Sequence, residues 1–149
     1  MFVELNFTVA LFISAFLGAV LGLERSIAGK HAGMRTYALV SLGSCLFVVL
    51  GTLASMELNT FSGVNPLQIA ANVVLGVGFL GTGLAVFRGE HPAELTTAAG
   101  LWVAAGVGMA CGFGLYILAT FATFLGLVVF SAFLHIENKL RQHWAKPND

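Results

Sequence analysis

Two clusters hold the side chains that could do chemistry. Glu24 and Arg25 close the first long apolar run, and Lys30, His31 and Arg35 follow before the second. Glu90, His91 and Glu94 form a matching group after the third run, with Arg88 just ahead of them and Thr96 or Thr97 placed to cap the helix beyond. A helix C-terminus carries unsatisfied carbonyls and a partial negative charge, so a carboxylate such as Glu24 needs a cation beside it. That cation is Arg25 or Arg35, in a salt bridge that fixes the depth of the helix end, or it is a metal ion. One or two carboxylates in oxygen-rich, partly hydrated surroundings suit Mg²⁺, which makes Glu24 the candidate metal ligand; the salt bridge is the favoured account. Capping and a solvated loop explain the second cluster, which jointly with Glu24 could also line a cytoplasmic cation site. No Ser/His/Asp or Cys/His arrangement, Walker loop or pair of intramembrane acids is present. The chain is therefore expected not to be an enzyme and to need no cofactor, with Mg²⁺ as the candidate ligand or substrate.

The elements that position these clusters are membrane helices. Of 149 residues, 58% are hydrophobic and 9% charged, where a soluble domain is about one quarter charged. The mean hydropathy is +0.90. Net charge is zero, so no overall field points to nucleic acid. Cys45 and Cys111 lie inside apolar runs without ligand-like spacing and read as buried thiols. No basic segment precedes the first apolar run, so that run is expected to stay as an anchor.

Five runs approach the roughly 20 residues that cross a bilayer core. They lie near Leu5 to Leu23, Thr36 to Ser55, Leu67 to Phe87, Thr96 to Gly112 and Leu115 to Leu134. As a single helix, Thr96 to Leu134 would be roughly 58 Å long, too long for one crossing. Gly112, Phe113 and Gly114 are therefore read as a tight reversal. The seven basic residues, Arg25, Lys30, Arg35, Arg88, Lys139, Arg141 and Lys146, all fall on one side of a five-span chain. The positive-inside rule makes that side, with the C-terminus, cytoplasmic and puts the N-terminus outside. The expectation is an all-α polytopic protein with a transmembrane domain over residues 1–134. A short amphipathic cytoplasmic tail follows over 135–149, with Ile136, Leu140 and Trp144 at helical spacing. A faint internal echo relates Gly22-Leu23, Gly29-Lys30-His31 and Thr36 to Gly83-Leu84, Gly89-Glu90-His91 and Thr96.

Glycine is the other signal. Gly76, Gly78, Gly81 and Gly83 match the spacing of a dinucleotide loop, but they lie in mid-span without the strand that such a loop requires. Together with Gly18, Gly22, Gly100, Ala104, Gly108 and Gly112, they read first as helix-packing surfaces and second as room for a pore or broken helix. The same faces make a homodimer, or docking to another membrane protein, plausible. Gln68 and Asn72 lie in the third span and must find partners, most simply on another helix.

The stretches LGLERSIAGKHAGMRTYALVSLG, QIAANVVLGVGFLGTGLAVFRG and LTTAAGLWVAAGVGMACGFG resemble the MgtC/SapB family of bacterial inner-membrane proteins over about Gly18 to Gly114. The resemblance implies a role in magnesium homeostasis and adaptation to low magnesium, including survival of pathogens inside host cells. Transport or sensing of Mg²⁺ is one view of the family. Regulation of other membrane proteins, ATP synthase among them, is the competing view. The family's Glu-Arg and Arg-Thr pairs match Glu24, Arg25, Arg35 and Thr36, and its polar third-span position, more often glutamine, matches Asn72. Its basic residue after that span matches Arg88, and its fourth-span signature matches Thr97, Leu101 and Trp102. Gln68 stands where an arginine often opens the third span, and Ala93 and Glu94 replace an Arg-Gly pair. The soluble C-terminal domain of many members is not expected here, which puts any function that depends on it in doubt.

Overall fold

The computed structural model describes residues 2–57, 65–86 and 93–144. Within them the chain is helical, without strands: α1 (Phe2–Ile27), α2 (Met34–Glu57), α3 (Pro66–Val86), α4 (Ala93–Gly112), α5 (Tyr116–Val128), a π-helical turn (Val129–Phe133) and α6 (Leu134–Trp144). Five of the helical stretches are long and apolar enough to cross a membrane, the fifth running from α5 through the π turn into α6. The fourth helix starts at Ala93, three residues before the expected boundary, and takes the backbone of Glu94 into its first turn.

The side-chain distribution is that of a protein in lipid. On α1 the small and polar residues Ala10, Ser14, Gly18 and Gly22 face inward, while Phe12 and Phe16 point out. Lipid tails are as apolar as phenylalanine, so burying large side chains drives little association; close backbone approach and dispersion contacts do more. α4 follows the same logic on a wider surface. It packs against α1, α2, α3 and α5, and forms the centre of the bundle. α3 packs chiefly on α2 and α4 and stands at the rim, with far less of its surface buried than α4 has.

Contacts set the directions. Gly18 lies against Tyr37 and Ser41, and Gly22 against Gly33 and Met34, so α1 and α2 run antiparallel. Gly100, Gly108 and Gly112 lie against Tyr37, Ser41 and Val48 in turn, so α2 and α4 run parallel. Gly126 meets Val103 and Phe130 meets Gly100, which makes α5 antiparallel to α4. With this alternation the described basic residues Arg25, Lys30, Arg35, Lys139 and Arg141 belong to segments at one end of the bundle.

Two turns repeat one device. After α1, Lys30 N–H donates to Arg25 O at 2.9 Å and Gly29 N–H to Ser26 O at 3.1 Å. After α4, Leu115 N–H donates to Ala110 O at 2.8 Å and Gly114 N–H to Cys111 O at 2.9 Å. Both are Schellman motifs, which need a left-handed residue at the helix end. Gly29 (φ 69°) and Gly114 (φ 76°) supply it. The reversal expected at Gly112 to Gly114 is therefore present, and Gly114 is the residue that turns the chain.

Candidate functional site

The best-connected polar group in the bundle is built around Arg25 in the last turn of α1. Its side chain is only 3% exposed. An ionisable group buried among membrane helices is costly unless it is paired, so its partners define a site. The guanidinium Nε donates to the Glu24 carboxylate. Its face lies 4.0 Å from the centroid of the Phe130 ring, where the negative face of the ring attracts the cation. Tyr37 meets the same ring edge-on, at 6.4 Å between centroids and 77°, an arrangement aromatic pairs favour. The Tyr37 hydroxyl donates to Thr97 O at 3.1 Å.

Local structure explains why these groups meet. A π turn holds one more residue than an α turn, and here it carries Phe130 inward, 6% exposed, beneath Arg25. Gly100 has no side chain, so the Tyr37 hydroxyl can lie where a methyl group would clash with it; Phe130 Cζ would be 2.6 Å from the same methyl. Ser26 ties α1 to α2: its hydroxyl donates to Gly22 O at 3.1 Å and accepts from Met34 N–H at 2.9 Å. Nearby, Ser41 Oγ and Thr97 Oγ1 are buried without a hydrogen-bond partner.

A second feature is a cleft of about 940 Å³ between α2 and α3, lined by Arg35, Thr36, Gly43, Ser44, Asn72 and Gly76 together with apolar side chains from both helices. Arg35, Thr36 and Asn72, which the sequence places on two different spans, thus share one wall-to-wall space. Asn72 is exposed and makes no hydrogen bond to a described residue.

The sequence candidates therefore separate into two groups. Glu24, Arg25, Thr97 and Gly100 gather at the α1–α2–α4–α5 junction, and Arg35, Thr36, Asn72 and Gly76 gather at the cleft. Arg88, Glu90 and His91 lie outside the described residues. Glu24 engages Arg25, and among the described residues no three His, Cys, Asp or Glu side chains come together as metal ligands. Gly18, Gly22, Gly100 and Gly108 are sites of close helix approach, and Gly81 meets Ala98 at ordinary contact. Among the described residues, Gly76, Gly78 and Gly83 depart from the packing role expected of them: a methyl group at any of the three meets none of those residues within 4 Å. The reason is the position of α3 at the rim: Gly76 faces α2 across an open cleft, and Gly78 and Gly83 approach no other described helix closely. The same holds for the internal echo, since Gly22 is packed and its counterpart Gly83 meets no described residue within 4 Å of an added methyl group. Sequence reasoning did not single out Tyr37, Ser41 or Phe130. Tyr37 had a signal, a phenol in an apolar span that must find a partner; Phe130, one of 13 phenylalanines, had none.

A family model described as MgtC family matches residues 11–139. The chain is 36% identical over 137 residues to a protein of Escherichia coli K12 named "Putative magnesium transporter YhiD", covering 91% of this chain and 64% of that one. It is 37% identical to Protein SrpB of Synechococcus elongatus, covering 95% and 84%, and 42% identical to Protein MgtC of Salmonella typhimurium, covering 77% and 47%. The chain thus spans a little under two thirds of YhiD and about half of MgtC. No solved structure matches it.

Proposed function

The chain belongs to the MgtC family, and from that premise we propose that it serves magnesium homeostasis in the bacterial inner membrane as a non-enzymatic regulator of another membrane protein. One observation carries this reading. The centre of the bundle is filled by Leu21, Tyr37, Leu101, Ala104, Val107 and Cys111, each no more than 1% exposed. Close-packed side chains of this kind resist rearrangement, whereas a carrier must open a route through them. The candidate ligand Glu24 is turned to Arg25, so its carboxylate serves to hold a buried cation in place. A rigid bundle with a rim helix left largely uncovered suits a protein that acts by contact.

A second reading, movement or sensing of Mg²⁺, has its own support in the oxygen-bearing side chains of Thr36, Ser44 and Asn72 along the α2–α3 cleft. The name of the Escherichia coli relative also favours it.

The deciding experiment measures Mg²⁺ flux into proteoliposomes, with Glu24→Gln and Arg35→Ala alongside. Co-purification from mildly solubilised membranes runs in parallel, comparing the wild type with Gly78→Leu. Gly78 is chosen because no described residue lies within 4 Å of an added methyl group there, so the outward surface changes while the described bundle does not. Regulation predicts no flux above empty vesicles and a partner, identified by mass spectrometry, that is lost with Gly78→Leu. Saturable flux abolished by Glu24→Gln would replace it with transport.

A further inference from the structure

The α2–α3 cleft is a lateral opening in a membrane bundle, and such a space must be filled by lipid or protein. We propose that it holds one acyl chain of an anionic phospholipid whose phosphate sits on Arg35 and Thr36.

Its chemistry is graded along its length. One end carries Arg35 and Thr36, in the first turn of α2, where the positive end of the helix also favours an anion. Arg35 is exposed and makes no ion pair with a described residue, so its charge is available. Beyond this end the walls are mainly apolar, with Leu39, Val40 and Phe47 on one side and Val73, Val77 and Leu80 on the other; the Ser44 hydroxyl between them donates to Val40 O at 2.8 Å.

The length fits a single leaflet. From Arg35 to Phe47 the helix rises about 18 Å at 1.5 Å per residue, close to half of a hydrocarbon core about 30 Å thick. The volume of about 940 Å³ is ample for an extended chain. Gly43 and Gly76 keep it open, because a methyl group at either would meet no described residue within 4 Å. Asn72 puts a polar amide toward the far end, where a chain entering from Arg35 would stop.

The test incubates the purified full chain in detergent with phosphatidylglycerol or phosphatidylcholine and counts retained lipid by native mass spectrometry. The wild type is expected to retain phosphatidylglycerol about fivefold better, the worth of one basic residue near an anionic surface. Arg35→Gln should abolish the preference while still binding lipid. Gly76→Phe should fill the cleft and retain neither lipid, with an unchanged thermal melt. If that variant misfolds, Gly43→Leu makes the same test from the facing helix. Equal retention of both lipids by the wild type, or full retention by the filled-cleft variant, would overturn the proposal. So would disulfide-linked dimers of Gly43→Cys in native membranes, which would show a second copy covering the cleft.

Discussion

The Tyr37 hydroxyl reaches across the bundle to the backbone carbonyl of Thr97, 60 residues further along the chain, at 3.1 Å. It is a buried tie between the two parallel helices that form most of the core. Because Thr97 contributes its backbone carbonyl, the bond does not use the Thr97 side chain, but only a tyrosine at 37 can donate it. Tyr37→Phe keeps the edge contact with Phe130 and removes only the hydroxyl. It is expected to lower stability by about 1 kcal/mol, the net worth of one such bond. Denaturation in mixed micelles reads the change, and a loss no different from zero would show that the bond is not made.

The glycines divide into two classes that a methyl scan should separate. At Gly108 an added methyl group would overlap the Ser41 carbonyl, a backbone atom that cannot swing aside. Gly108→Ala is expected to cost about 3 kcal/mol, the upper part of the overpacking range. At Gly78 the methyl group meets open space, so Gly78→Ala should be neutral or gain up to about 1 kcal/mol from helix propensity. Thermal melts of the two purified variants check the ordering, and equal behaviour would contradict the packing described.

Arg25 is held by a carboxylate on one side and a ring face on the other. A lysine keeps the charge but lacks the planar group that lies on the ring. Arg25→Lys should therefore cost about 1 kcal/mol, because an ammonium makes a weaker contact with the ring than the stacked guanidinium. Arg25→Leu, which leaves the Glu24 carboxylate without its partner, should cost about 3 kcal/mol. Adding Glu24→Gln to Arg25→Leu should recover part of that loss, since both charges are then gone. Chemical denaturation of these proteins and of the Glu24→Gln single variant tests this order, and additive losses in the double variant would mean that the two side chains are not coupled.

The legible part of this fold is the part that lipid dictates. Hydrophobic run length and the placement of Lys and Arg point to five spans, and Gly112 to Gly114 points to a reversal, because crossing a bilayer constrains length and charge strongly. Gly100 and Gly108 could be read as packing positions because Gly100, Ala104, Gly108 and Gly112 recur about once per turn. Gly76 and Gly78 look the same in sequence and differ only in where α3 stands, which spacing does not encode. Glu24 beside Arg25 is readable as a pair. That Arg25 turns inward onto Phe130 depends on a π turn, and no residue in Val129–Phe133 announces it.

The end of the bundle that carries Arg25, Lys30 and Arg35 is expected to face the cytoplasm, since the basic residues that set orientation lie there. Lys30 and Phe113 occupy the turns at opposite ends. Cysteine placed at either can be labelled with a membrane-impermeant maleimide against a low background, because Cys45 and Cys111 are buried free thiols. In intact spheroplasts Phe113→Cys should label and Lys30→Cys should not; inverted vesicles should reverse the two. Phe113 is preferred to Gly114 because Gly114 holds φ at 76°, where any side chain is strained. The opposite labelling pattern would invert the bundle. It would place the Arg35 end of the α2–α3 cleft in the outer leaflet and move the search for a lipid phosphate to that side.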